Sequence, residues 1–445
     1  MSRRRKRNKL PRDPVIADIE SLNHEGKGVA HVNGKATFIH GALAGEKVSF
    51  LYTRKRKSHD EGDVLEVLRA NPDRVVPRCA AFGRCGGCSL QHLQPAAQIA
   101  AKQQVLLDAL QRTGNVEAAE ILPAISSDSA WGYRKKARLG AKFVIKKDKM
   151  LVGFRERSSS FLVDMDECHV LDPKVGFALR ELAGLIAGLG ISQQMPQIEM
   201  AMDDERCVLV FRVLEEPDAS DCEKLRRFAA ARDFHIYLQP GGPDTVRPLH
   251  EPVQLHYALP DFDLDLNFEA TDFTQVNTDI NRKMVSRTVE LLDLSPRDQV
   301  LDLFCGMGNF SLPIARHAGS VVGVEGAAEL VQRARANAQR NQLQNTSFYT
   351  ANLYEQLDHE PWMNLSFNKV LLDPPRSGAF EMLEHINRMS VERIVYVSCY
   401  PGTLARDAGE LVNNYGYRLA SAGVMDMFPH TTHVESVSYT HLRAH

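Results

Sequence analysis

The chain has 445 residues, 44% of them hydrophobic and 25% charged, with a formal net charge of −2. That length leaves room for two or three domains, and the composition is that of an ordinary globular protein. No run of 18 apolar residues occurs, so no membrane span is expected, and the basic N-terminus lacks the apolar stretch of a secretory signal. Eight cysteines are too few for a disulfide scaffold, and three of them crowd into ten positions, which in a cytoplasmic chain reads as metal binding.

The charge is unevenly placed. Arg3, Arg4, Arg5, Lys6, Arg7, Lys9 and Arg12 open the chain without an acid, Arg54 to Lys57 form a second block, and Arg134, Lys135, Lys136 and Arg138 a third. Such blocks suit a polyphosphate partner, because each cation that meets a phosphate releases a counterion. The second and third stand beside aromatics (Tyr52, Trp131, Tyr133), which shifts the reading from solvated faces towards nucleic acid.

Residues 12–70 read as all-β. Val15–Ile19, Gly28–Val32, Ala36–Ile39 and Glu46–Phe50 are short strand-like runs, and Asn33-Gly34 is a tight-hairpin signal. The expectation is a small closed barrel of the oligonucleotide-binding kind. Around His24-Glu25-Gly26-Lys27-Gly28 the stretch resembles the TRAM domain, an RNA-binding module.

Next come Cys79, Cys85 and Cys88, with Cys168 as a distant fourth candidate. Three thiols from one loop and one from elsewhere resemble iron–sulfur ligation. Zinc sites more often show two Cys-x-x-Cys pairs, so zinc stands second and plain buried thiols third. Leu106, Leu107 and Leu110 on one side predict a helix over about 95–113. Residues 71–265 read as a central α+β domain carrying the cysteine loop, with helical runs at 177–188 and 219–232. Cys207 and Cys222 are read as packing residues.

From 266 to 445 the pattern becomes strand–helix alternation, the mark of a doubly wound parallel sheet. Val300 to Leu303 runs into Phe304-Cys305-Gly306-Met307-Gly308-Asn309, a strand followed by a glycine turn that lets backbone approach a ligand. Glu325 ends the next strand, where an acid accepts hydrogen bonds from ribose hydroxyls. Asn352 follows a further short strand and can face an adenine edge. Asp373-Pro374-Pro375-Arg376 ends the fourth, with prolines fixing the chain at the sheet's edge. Cys399 then closes the β-branched run Val395–Ser398, and Glu435 lies downstream in His433-Val434-Glu435. A nucleophilic thiol, a carboxylate base and a cofactor loop are the parts needed to methylate a pyrimidine ring at carbon.

With Asp272-Phe273-Thr274-Gln275-Val276-Asn277, these motifs resemble the RNA (uracil-C5)-methyltransferase family over nearly the whole chain. The resemblance implies that Gln275, Phe304, Asn309, Glu325, Asn352 and Asp373 bind S-adenosylmethionine, that Cys399 is the nucleophile and Glu435 the base, and that Cys79, Cys85, Cys88 and Cys168 hold a [4Fe–4S] cluster. It also implies a Rossmann-like methyltransferase domain, 23S ribosomal RNA as partner, and a monomer in the cytoplasm. Members acting on transfer RNA uridine 54 typically lack barrel and cluster, and those acting on 23S uridine 747 lack the barrel, so a chain with both points to uridine 1939. Two departures stand out. Tyr400 occupies a place where asparagine is usual, and the tail from Tyr439 to His445 does not read like the family's last strand.

Uracil C5 is too weak a nucleophile to take a methyl group unaided. A thiolate added at C6 makes an enolate whose C5 can attack the sulfonium methyl, and a base then removes the C5 proton. Such a thiol is expected to have a lowered pKa and an accessible position. The target base must leave its stack to reach the site. Rival readings are weaker. Amine methyltransferases carry an aromatic where Arg376 stands, cytosine-C5 enzymes carry a cysteine in the motif matching Asp373-Pro374-Pro375, and a non-catalytic iron–sulfur RNA-binding protein needs neither Cys399 nor Glu435.

Overall fold

The computed structural model describes residues 10–355 and 357–442. The basic block from Arg3 to Lys9 therefore lies outside the described residues, as does Arg443–His445. The chain divides into two compact units. The first runs up to Ala101 and takes in 156–159 and 430–432; the second holds the rest.

In the first unit, six strands form one sheet in the order Val15–Asp18, Lys47–Lys55, Asp60–Arg69, Lys35–His40, Gly28–Val32 and Ser21–Leu22. Asn33 and Gly34 both take positive φ and join adjacent antiparallel strands, as the hairpin signal predicts. Inward side chains (Ala17, Ile19, Ala30, Ile39, Val48 and Phe50) make its core. The Arg54–Lys57 block lies at the end of the second strand in that order. Part of it is already engaged, since Arg56 pairs with Glu61 at 3.1 Å and Lys55 lies 4.3 Å from the Tyr52 ring centre.

The second unit contains two large sheets. One runs Arg247–Pro248, His235–Gln239, Cys207–Arg212, Gln197–Met202, Lys136–Val144 and Lys149–Gly153. Helices Leu179–Ala187 and Ala219–Arg232 match the predicted ones. Cys207 is fully buried and its thiol pKa is pushed far up by desolvation, which fits packing. Part of the third basic block is turned inward here, while Arg138 stays exposed and pairs with Glu199 at 3.3 Å. Lys135 pairs with Asp172 at 2.8 Å, and Lys136 is largely buried and donates to the Ala270 carbonyl at 2.8 Å.

The other sheet has eight strands, ordered Thr346–Thr350, Ser320–Glu325, Gln299–Leu303, Lys369–Leu372, Arg393–Ser398, Glu435–Leu442, Tyr417–Met425 and Glu120–Ile121. The first five are parallel neighbours, and Glu435–Leu442 is antiparallel to both of its own. The strand order reverses between Gln299–Leu303 and Lys369–Leu372, which opens a crevice at the carboxyl ends of the strands. Two outcomes differ from expectation. Glu120–Ile121, from the stretch read as central, adds an edge strand to this sheet. The atypical tail is a regular strand as far as Leu442. Tyr439 and Thr440 pair on both sides, and Arg393 stacks 4.4 Å over the Tyr439 ring. Pairing on both sides fixes the strand: Glu435 to Ser438 and Thr440 are buried, and Tyr439, His441 and Leu442 are partly exposed.

Candidate active site

The glycine turn sits at the crevice. Phe304, Gly306 and Gly308 all have positive φ (66°, 55° and 96°), so the chain curls tightly after its strand. The N–H groups of Phe304 and Cys305 both donate to the Val324 carbonyl, at 2.9 and 3.1 Å. Glu325 is fixed beside the turn: Gly306 N–H donates to its Oε2 at 3.1 Å and Ala327 N–H to its Oε1 at 3.0 Å. The Phe304 and Tyr354 rings lie 5.8 Å apart and form an apolar wall suited to a planar base. Asn352 turns to its own loop, donating to Glu355 at 2.6 Å and accepting from Tyr354 N–H at 3.2 Å. Gln275 lines a small cavity with Thr274, Tyr257 and Asn281.

Asn309 is held by residues the motifs did not single out. Asn281 exchanges two 3.0 Å hydrogen bonds with it, and Tyr257 donates to its Oδ1 at 2.9 Å. Behind the turn, buried Asp302 accepts from the Ser311 hydroxyl at 2.5 Å, and desolvation pushes its carboxyl up to about 8. Asp373 ends its strand with its N–H donating to the Leu303 carbonyl at 3.3 Å. Burial and the neighbouring Glu325 push its pKa up to about 7.

Cys399 and Glu435 come together through sheet register. Ser398 pairs with Ser436 across antiparallel strands, and the Ser436 hydroxyl donates to the Ser398 carbonyl at 3.2 Å. The ladder ends at that pair, so Cys399 follows it on one strand and Glu435 precedes it on the other, close enough for the Glu435 charge to act on the thiol. After Cys399 the chain turns at once into the helix Pro401–Asn413, with Pro401 at its first turn, where a missing N–H costs nothing. Tyr400 is the N-cap through its backbone alone: its N–H donates to Ser398 Oγ at 3.1 Å, and its carbonyl accepts from Thr403 Oγ1 at 3.1 Å. Its side chain is exposed, and the turn after Cys399 is held by this backbone and the Ser398 and Thr403 hydroxyls.

The thiol departs from expectation. Cys399 is half-buried, and its pKa is pushed up to about 11 by desolvation, with Glu435 and Asp373 adding like charge and Arg376 opposing. Glu435 is buried, and desolvation, with Asp373, raises it to about 8. Arg376 also lies 2.8 Å from His433 Nδ1. The turn after Asp373-Pro374-Pro375 is held by buried Asp407, which accepts from Ala379 N–H at 2.8 Å and from Tyr396 Oη at 2.7 Å. Arg406 ties Asp407 to the Ser377 carbonyl, and Tyr354 reaches the Gly378 carbonyl at 3.1 Å.

Of the cysteine ligand set, Cys79, Cys85 and Cys88 belong to the first unit and Cys168 to the second. Cys85 and Cys168 are buried, the other two half-buried. The Gly87 N–H is aimed at Cys85 Sγ at 3.4 Å, the kind of contact that favours a thiolate. The donor types suit an iron–sulfur cluster, yet among the described residues no three His, Cys, Asp or Glu side chains are grouped to hold a metal ion.

A crevice at the switch point, a glycine turn beside a fixed acid, and a half-buried thiol near a buried carboxyl are the arrangement of a methyltransferase-type site. Comparison with known proteins agrees. The model of the tRNA (uracil-5-)-methyltransferase family matches residues 98–442, and that of the TRAM domain matches residues 15–49. The chain belongs to the tRNA (uracil-5-)-methyltransferase family. It is 52% identical over 436 residues, 98% of each chain, to a protein of Alkalilimnicola ehrlichii named 23S rRNA (uracil(1939)-C(5))-methyltransferase RlmD. A protein of the same name from Methylococcus capsulatus is 50% identical over 440 residues, 98% of this chain and 99% of the relative. The fold is that of the Pyrococcus abyssi tRNA (uracil-54, C5)-methyltransferase, solved with S-adenosyl-L-homocysteine. The TM-score is 0.73 at 24% identity, covering 96% of this chain and 100% of the other.

Proposed function

We propose that this chain methylates C5 of a uridine in 23S ribosomal RNA, uridine 1939, with S-adenosylmethionine as methyl donor. The observation that supports the reading is the ladder pair of Ser398 with Ser436, which stands next to Cys399 on one strand and Glu435 on the other. The name borne by relatives about half identical over nearly full length supports the substrate. Bound S-adenosylmethionine supplies an electrophilic methyl group; everything else falls to the chain's own residues.

Cys399 adds to C6 of the flipped base and raises electron density at C5. After methylation, Glu435 takes the C5 proton, the C5–H electrons re-form the ring double bond, and the thiolate leaves. A carboxyl poised near 8 is basic enough to take that proton and acidic enough to release it. With its pKa pushed up to about 11, Cys399 rests as a thiol; it releases its proton to solvent water as it adds to C6, and regains one after the thiolate leaves. Gln275, Phe304, Asn309, Glu325, Asn352 and Asp373 bind the cofactor, with Phe304 and Tyr354 as the wall for its base.

Cys79, Cys85, Cys88 and Cys168 hold a [4Fe–4S] cluster, a reading that rests on family resemblance and donor chemistry; no step runs through it. The domains are the barrel at 12–70, the α+β domain at 71–265 and the methyltransferase domain at 266–445, in a monomeric cytoplasmic enzyme. The test of the chemistry is a denaturing gel with the RNA. Glu435→Gln accumulates a covalent protein–RNA band, and Cys399→Ala gives none and no methylation. A Cys399→Ala enzyme that still turns over would sink the mechanism.

A further inference from the structure

The loop between the strands Tyr417–Met425 and Glu435–Leu442 delivers Glu435 to the crevice, and buried polar side chains grip it. At its start Lys102, 3% exposed, donates to Asp426 Oδ1 at 2.6 Å and to the Phe428 carbonyl at 2.9 Å. Near its end, His430 N–H donates to Oε1 of Gln98, which is 1% exposed, at 2.8 Å. Gln98 Nε2 lies 3.2 Å from His430 Nδ1 and donates to the carbonyls of Leu90 and Leu93, at 3.0 and 2.6 Å. The residues just after Cys88 join in. Ser89 and Leu90 N–H both donate to the His430 carbonyl at 2.9 Å, and Thr432 N–H donates to Ser89 Oγ at 3.1 Å.

His430 has φ +66°, a left-handed conformation that a side-chain-bearing residue keeps only where its surroundings impose it. Gln98 and Lys102 are four residues apart on the helix Pro95–Ala109, so they share one face. Buried polar side chains are costly unless bonded. Both of these spend their bonds on the backbone and side chains around this one loop.

We propose that Lys102, through Asp426 and the Phe428 carbonyl, is a positioning residue for Glu435, fixing the stretch that leads to it so that the carboxyl meets the substrate beside Cys399. The proposal rests on the reading of Glu435 as the base. That base acts only after the methyl group has arrived. A misplaced carboxyl therefore slows release of the adduct and spares both thiol addition and cofactor binding.

The test uses the full chain, a 23S rRNA fragment and S-adenosylmethionine, with Lys102→Met and Asp426→Asn. The adduct fraction is read on denaturing gels, S-adenosylhomocysteine affinity by calorimetry, and folded fraction by thermal melting. For Lys102→Met, kcat falls about tenfold per folded molecule, the adduct fraction rises by a similar factor, and cofactor affinity stays within about twofold. Asp426→Asn moves the same way by less, and it keeps the test decisive if Lys102→Met fails to fold, since it keeps the shape of the side chain. Turnover that falls with no adduct, or that stays at the wild-type level per folded molecule, overturns the proposal. Glu435→Gln is the reference. Adduct there but not in the loop variants refutes the positioning role alone, whereas no adduct in Glu435→Gln refutes the assignment of the base.

Discussion

Replacing Glu435 with glutamine should make the folded protein more stable at neutral and alkaline pH while destroying turnover. Glu435 is 4% exposed, and burial with Asp373 lifts its pKa from 4.5 to about 8. A group whose folded pKa is raised contributes stability below its unfolded pKa and loses it as pH rises through the folded one. Between those values the unfolded chain ionises the carboxyl and the folded chain resists. At about 1.4 kcal/mol per unit of pKa, the penalty is about 2 kcal/mol at pH 6 and about 4 kcal/mol at pH 8. Glutamine mimics the protonated acid and escapes it. The assay is thermal melting of wild type and Glu435→Gln across pH 5 to 8.5. The variant should melt a few degrees higher at pH 8, with the gap shrinking towards pH 5. A variant that melts lower than wild type at pH 8, or a gap independent of pH, refutes the argument that the site holds a strained carboxyl.

Three further outcomes follow from the same geometry. Alkylation of Cys399 by iodoacetamide, followed by mass spectrometry, should keep rising with pH past 9, because at pH 8 only about one thiol in a thousand is ionised with a pKa of about 11; a plateau below pH 8 would contradict this. Gly378→Ala should cost at least tenfold in activity, since Gly378 has φ +83° and a Cβ would stand 2.6 Å from Arg406 Nη2 and 2.7 Å from Asp407 Oδ2; wild-type kinetics would refute the role of that turn. Tyr439→Ala should lower the melting temperature by removing the Arg393 stack and an inter-strand pair, about 1–2 kcal/mol, with the covalent adduct still able to form; an unchanged melting curve would count against the tail as part of the sheet.

The parts of the site that sequence made legible are those encoded locally. The strand ending in Phe304-Cys305-Gly306 is written in β-branched and glycine residues a few positions apart, and the turn after Cys399 is written in Pro401. Glu435 was nameable only through its motif. Its place near Cys399 depends on the pairing of strands 38 residues apart at Ser398 and Ser436, which no local pattern carries. The thiol was expected to be acidic because its role asks for a thiolate; desolvation and two carboxyls, all tertiary effects, reversed the sign. Asn281 and Tyr257 went unnoticed because their only signal is a hydrogen bond to Asn309. Lys135 and Lys136 looked like phosphate ligands because charge is visible in sequence while burial is not. The tail is foreign by its letters, and it is the strands on both sides of it, a tertiary effect, that make it a strand as far as Leu442.

The central claim is uridine C5 methylation through Cys399 and Glu435. The most direct measurement is transfer of a labelled methyl group from S-adenosylmethionine to unmodified 23S rRNA fragments, with digestion to locate the modified base. Label at C5 of uridine 1939, absent with Cys399→Ala, is the predicted result. Label at no uridine, from protein that binds S-adenosylhomocysteine, would contradict it.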